Sequence, residues 1–144
     1  MYATLDDMET RYGASELLRL GVVDGERPLD LGDLRVVARV SRAIETASSV
    51  IDSFLAKRYA TPIAAPPPSI VEAACVLARH SLASSGATSP SEDVETAKAQ
   101  TLSWLGKIAQ GIVTIEGLAS ISKGSSARVS DRPAIYNPGT GGVW

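Results

Sequence analysis

The chain is poor in the residue types that carry most protein chemistry. Its 144 residues include one cysteine, Cys75, one histidine, His80, and one phenylalanine, Phe54. A single cysteine excludes an internal disulfide and suits a reducing compartment. Cys75 and His80 stand five positions apart, where helix side chains point in different directions, so neither a zinc site nor a Cys–His nucleophilic pair is expected within one chain. Aromatic residues make up 5% of the chain, leaving alanine and small aliphatics to fill the core, as in many helical bundles. Neither charge sign dominates: 14 basic residues against 16 acidic give −2, no footprint for sequence-independent nucleic-acid binding. No apolar run approaches the roughly 20 residues of a membrane span. The start, Met1-Tyr2-Ala3-Thr4-Leu5-Asp6-Asp7, lacks the basic and apolar regions of a signal peptide. The expectation is a soluble protein in a cytoplasm-like medium with no membrane partner, long enough for a single core of three or four helices.

What is present reads as capped helices. Thr4, with Asp7 three residues later, opens a short helix that stops at Gly13; Ser15 opens another, through Leu17, Leu18 and Leu20, that stops at Gly21. Residues Val22 to Leu31 form a polar, turn-rich loop. A long helix starts near Asp30 or Asp33 and runs to the break at Thr61-Pro62. Its apolar positions Val37, Val40, Ile44, Ala47, Ile51 and Phe54 alternate spacings of three and four, the seam of a packed helix. Beside it lies a second apolar row, Val36, Ala43 and Val50. The other side carries Arg35, Arg39 and Arg42, then Glu45, Ser49 and Asp52: either a basic patch facing DNA or an acidic partner, or a solvated face with Arg42 paired to Glu45. After the elbow Ala65-Pro66-Pro67-Pro68, the Ser69-x-x-Glu72 spacing of a capping box opens the next helix, with Ile70, Val71, Ala74, Leu77, Ala78, Ser81 and Leu82 inward. Ser89-Pro90-Ser91-Glu92 repeats that signal with proline at the first helical position. The third long helix presents Val94, Ala97, Thr101, Leu105 and Ile108, straddles its edge with Trp104, and ends at Gly111. The fold class is therefore all-α, an up-and-down bundle with the N-terminal helices as a lid. Its core includes Ile44, Ile51, Phe54, Leu77 and Leu105, and Phe54→Ala should cost about 3–5 kcal/mol.

Past Gly111 the pattern changes. Ile112-Val113-Thr114-Ile115-Glu116 has strand propensity but is too short to stand without a partner strand. Ser120 to Trp144 is rich in Ser, Gly, Arg and Pro and lacks the apolar density to fold alone. Its spaced Val129, Ile135, Tyr136 and Trp144 suit an extended C-terminal arm laid along a partner. The division is a helical domain over residues 1–118 and an arm over 119–144. The second apolar row, with Ile112 and Ile115, gives the expected subunit interface: Val36, Ala43, Val50, Ile112 and Ile115.

No catalytic constellation emerges. Asp6-Asp7 and Glu92-Asp93 are acidic pairs at helix starts, where the helix dipole favours them. Gly139-Thr140-Gly141-Gly142 has no strand before it or helix after it, so it is not a phosphate loop. No reaction, metal or cofactor is expected.

Several segments carry a resemblance. Tyr2-Ala3-Thr4-x-x-Asp7-Met8-x-x-Arg11-Tyr12-Gly13 with Glu16-Leu17, Ile51-Asp52-Ser53-Phe54-Leu55-Ala56-x-Arg58-Tyr59 with Pro62 and Pro67-Pro68, Ala74-Cys75-x-x-Ala78-Arg79, and Trp104-Leu105-x-x-Ile108-Ala109-x-Gly111 together resemble the Mu-type phage family of small head–tail connector proteins. The resemblance spans residues 2 to about 118 and is most specific from Ile51 to Arg79. It implies a structural virion protein, a head–tail adaptor assembled in the host bacterial cytoplasm. About twelve copies would form a ring beneath the portal protein, with DNA passing through as cargo and a tail-side stopper or tail-terminator protein docking below. The arm's partner would be the portal first and neighbouring adaptor subunits second. The competing expectation is a small helical DNA-binding or regulatory module using Arg35, Arg39 and Arg42.

Overall fold

A computed structural model describes residues 1–22, 30–86 and 89–121. Among them the chain is helical: α1 (Leu5–Tyr12), α2 (Ala14–Gly21), α3 (Leu34–Leu55), α4 (Pro68–Ser84) and α5 (Glu92–Gln110). The three long helices pack on one another, and α1 and α2 pack over α3 and α4.

The caps show which local signals decide the helix limits. At α1 the Thr4 hydroxyl accepts from the Asp7 backbone N–H while the Asp7 carboxylate accepts from the Thr4 N–H, a reciprocal capping box. Gly13, at φ 82°, turns the chain from α1 into α2, a conformation open to glycine and strained for other residues. Asp33 caps α3 through its carboxylate and the Arg35 N–H. Three expected caps take other forms, the first being Ser15, which lies inside α2 because Gly13 is the N-cap. The Ser69–Glu72 box does not form: α4 starts at Pro68, where the fixed proline φ suits a first turn, and Glu72 reaches Arg11 instead. Likewise α5 starts at Glu92 after Ser91, so Pro90 precedes the helix rather than opening it. Its end is as expected, at Gly111 in the left-handed conformation (φ 80°), with the Gly111 and Ile112 N–H groups bonded to Ile108 and Lys107 carbonyls.

The core runs through all five helices. Met8, Leu17, Ile44, Ile51, Leu55, Ile70, Leu105 and Ile108 are fully enclosed. Of the expected core set, Ile44, Ile51, Leu77 and Leu105 are buried. Phe54 is the correction: it is only partly covered, and Leu55, one position on, takes the central place at 0% exposure. Ala73, Ala74, Cys75, Ala78 and Ala83 are all buried, so α4 is enclosed on more than one side by small residues that let its neighbours approach.

Ile112–Glu116 is not a strand. Past the Gly111 cap the segment forms turns and irregular chain, and a second reversal follows at Gly117, φ 83°. Its backbone need is met inside the chain, because the buried Ile115 N–H donates to the Tyr59 hydroxyl at 3.0 Å. The β pairing among the described residues is one antiparallel bridge, Tyr59 to Ser120, extended by the Ile121 N–H to the Arg58 carbonyl at 2.6 Å. The arm anchors Val129, Ile135, Tyr136 and Trp144 lie outside the described residues.

Candidate assembly surface

Two tyrosines pin the chain start and the segment after α5 to the helices. The Tyr2 N–H donates to the buried Ser48 Oγ (2.9 Å), its hydroxyl donates to Asp52, and the same hydroxyl accepts from the Ile63 N–H (3.0 Å). Burial, followed by the Asp52 contact, pushes the Tyr2 hydroxyl up to about 12. Tyr59 does the same for the segment after α5. Thus one side chain stitches the chain start to α3 and the proline elbow, and another stitches the turns at Ile115 to the end of α3.

The α1–α2–α4 side engages its arginines within the chain. Arg11 pairs with Glu72 at 2.9 Å, and Glu16 accepts from Arg19 (2.9 Å) and Arg79 (3.1 Å). Arg79 also stacks over the Tyr12 ring, 4.7 Å from its centroid, a cation–π contact. Burial acts to raise the Glu16 carboxyl, but the hydrogen bonds from Arg19 and Arg79 outweigh it and hold it below the usual value. Cys75 is a small core residue, as the sequence suggests, its thiol pushed up to about 11 by burial. His80 faces α5, where its Nε2 meets Glu95 at 2.9 Å, with Lys98 and Ser84 nearby. Among the described residues no His, Cys, Asp and Glu cluster could hold a metal, and no helix is long and apolar enough to cross a membrane.

The α3–α4–α5 side differs. A groove of about 430 Å³ opens between the first half of α3 and the last turns of α4, bordered by Arg39, Arg42, Thr46, Ser81 and Ser85 with Ala43 in its floor. It adjoins a second depression of about 460 Å³, more apolar, reaching Val50, Leu77, Lys98 and Leu102. The two share Thr46, Ser81 and Ser85. Arg35 is held by Asp33 at 2.9 Å. Arg39 and Arg42 have no acidic partner among the described residues, and the expected Arg42–Glu45 pair does not form. The basic row therefore divides: Arg35 serves the α3 cap, and the next two arginines border a groove.

The expected interface residues divide too. Val36, Ala43 and Ile115 lie in the chain's own core, at 2%, 5% and 6% exposure. Val50 is partly covered and borders the second depression, while Ile112 is 69% exposed beyond α5. The row beside the α3 seam is thus wide because α3 meets α2, α4 and α5 within one chain.

The model of the family described as "Bacteriophage Mu, Gp36" matches residues 2–130. The chain belongs to that family. It is similar to the Mu-like prophage FluMu protein gp36 of Haemophilus influenzae, with 29% identity over 116 residues, covering 80% of this chain and 75% of the relative. The family match continues past Leu118, where the sequence resemblance was expected to end, into the segment assigned to the arm. Most of the residues carrying that resemblance have structural duties here. Tyr2, Asp7, Arg11, Tyr12, Glu16, Asp52, Tyr59 and Arg79 all take part in the caps, pins and ion pairs described above.

Proposed function

We propose that the chain is a structural virion protein, a head–tail adaptor whose copies form a ring between the portal and the tail-side stopper or terminator around the DNA exit channel. The observation that carries this reading is family membership over nearly the whole chain. It is supported by a pinned helical body and by a groove that the described residues leave open. The pairing of the first half of α3 with the last turns of α4, and of the first half of α4 with Ala97, Thr101 and Trp104 of α5, fits an up-and-down order of the long helices.

On this reading the protein performs no reaction and holds no cofactor. It extends the channel, and about twelve copies offer one repeated surface to each neighbour. Ile112 and Val50 are the members of the expected interface set with surface to give. The arm anchors Val129, Ile135, Tyr136 and Trp144 would reach the portal. Assembly would take place in the host cytoplasm and end in the virion.

The two arginines without acidic partners among the described residues favour a second reading, a DNA-binding module. The net charge of −2 counts against it. A salt titration separates the two: a duplex binder loses affinity steeply with rising salt. An adaptor should show little binding to random duplex at physiological salt and should co-sediment with its portal. Steep, tight duplex binding without portal binding would reverse the assignment.

A further inference from the structure

The groove beside α3 is specific enough in chemistry to say what enters it. Arg39 and Arg42 stand at its border on consecutive turns of one helix face, with the Thr46, Ser81 and Ser85 hydroxyls around them. A planar guanidinium pair of this kind suits carboxylates, which it can grip through two parallel hydrogen bonds each. Within the chain those carboxylates are lacking among the described residues.

The complementary surface is α1. Asp6 and Glu9 are exposed on it. The other charged groups of α1 are already engaged, Asp7 by the Thr4 cap and Arg11 by Glu72. The chain start is fixed to α3 at Ser48 and Asp52. At 100° per residue those positions lie about half a turn around α3 from Arg39, Thr46 and Val50, and about a quarter to a third of a turn from Arg42. No α1 residue lines the groove, so acidic face and groove are separate surfaces and one copy can use both at once. Such an arrangement repeats head to tail and closes as a ring when the rotation allows. Glu92 and Asp93, another exposed acidic pair, sit on α5, whose Lys98 and Leu102 line the adjoining depression, and so belong to the accepting side.

We infer that the groove receives α1 of a second copy of this chain, with Asp6 and Glu9 set against Arg39 and Arg42. The inference rests on the ring reading and names the contact that makes the ring. It leaves the DNA face of the channel to other residues.

The test is a charge swap in the full chain, read by sedimentation across a concentration series at low and moderate salt. R39E/R42E and D6K/E9K should each lose self-association at least tenfold, with helical circular dichroism unchanged. Mixing the two variants should restore it, because each then offers the other a reversed but matching surface. A misfolded variant could not be rescued this way; should R39E/R42E unfold, R39A/R42A takes its place, with D6K/E9K still tested alone. Undiminished association of both variants, or failure of the mixture to recover, overturns the inference while the ring stands. A wild-type chain that stays monomeric at every concentration also overturns it, leaving portal binding to decide the adaptor reading. Loss of duplex DNA binding by R39E/R42E with self-association unchanged would give the groove to nucleic acid instead.

Discussion

The two flanks of α3 use charge in opposite ways. On the α1–α2–α4 side, Arg11, Arg19 and Arg79 all find acids of the same chain, and Arg79 adds the Tyr12 ring. On the groove side, Arg39 and Arg42 find none among the described residues. The first flank uses its arginines to hold the chain together, and the second does not use these two on the described residues.

The comparison can be sharpened by substitution. The largest effect belongs to neither flank but to the core between them. Leu55→Ala should cost about 2–5 kcal/mol in urea unfolding, whereas Phe54→Ala, at the core edge, should cost less than half as much. Equal losses would mean that Phe54 is packed more deeply than the fold described here allows.

Next comes the pinned flank. Tyr2→Phe removes the hydroxyl that serves Asp52 and leaves the Ile63 N–H unsatisfied, for about 1–3 kcal/mol. The sign of its pH dependence follows from the raised hydroxyl. Folded Tyr2 keeps its proton to about 12, and the unfolded chain releases it near 10. Between those values the unfolded state binds fewer protons, so stability is complete below pH 10 and falls as pH rises toward 12. The wild type should show that decline, and Tyr2→Phe should show less of it in the same melting series.

Glu16→Gln should be milder, about 1 kcal/mol, because the pair with Arg19 is solvent-screened. The Glu16 carboxyl is held below its ordinary value of 4.5, so its contribution is present above that pH and lost as pH falls through the folded value. The difference between wild type and variant should therefore shrink in acid and in high salt. A difference that persists unchanged at pH 3 would point to packing rather than charge.

Arg39→Ala with Arg42→Ala should be smallest for stability, within about 0.5 kcal/mol, as for surface positions without partners. A loss of several kcal/mol would mean that the groove side is a structural flank like the other.

The helices were legible because their signals are local. Capping of α1 by Thr4 and Asp7, the Asp33 start of α3 and the Gly111 stop of α5 each depend on a few adjacent residues. The Ser69–Glu72 box had the right spacing but met a competitor invisible in sequence, since Arg11, 61 positions from Glu72, takes the carboxylate. Phe54 and Leu55 are neighbours, and a shift of one position decides which of them faces inward. The Ile112 segment looked like a strand because its composition cannot reveal a hydroxyl 56 residues away that satisfies the Ile115 N–H. For the surface, spacing alone singled out Arg39 and Arg42, but separating them from Arg35 required knowing that Arg35 folds back on Asp33. On the groove's far wall the helical period of α4 points Ser81 inward, whereas Ser85 and, in the adjoining depression, Lys98 carry no sequence signal.

The central claim is that this chain works by assembling on a portal. Its most direct test is the mass, by multi-angle light scattering, of the full chain mixed with the portal protein of the same phage. The account predicts a stable complex heavier than the portal by a ring's worth of chains, near twelve copies. A portal whose mass is unchanged at saturating concentrations of the chain would contradict it.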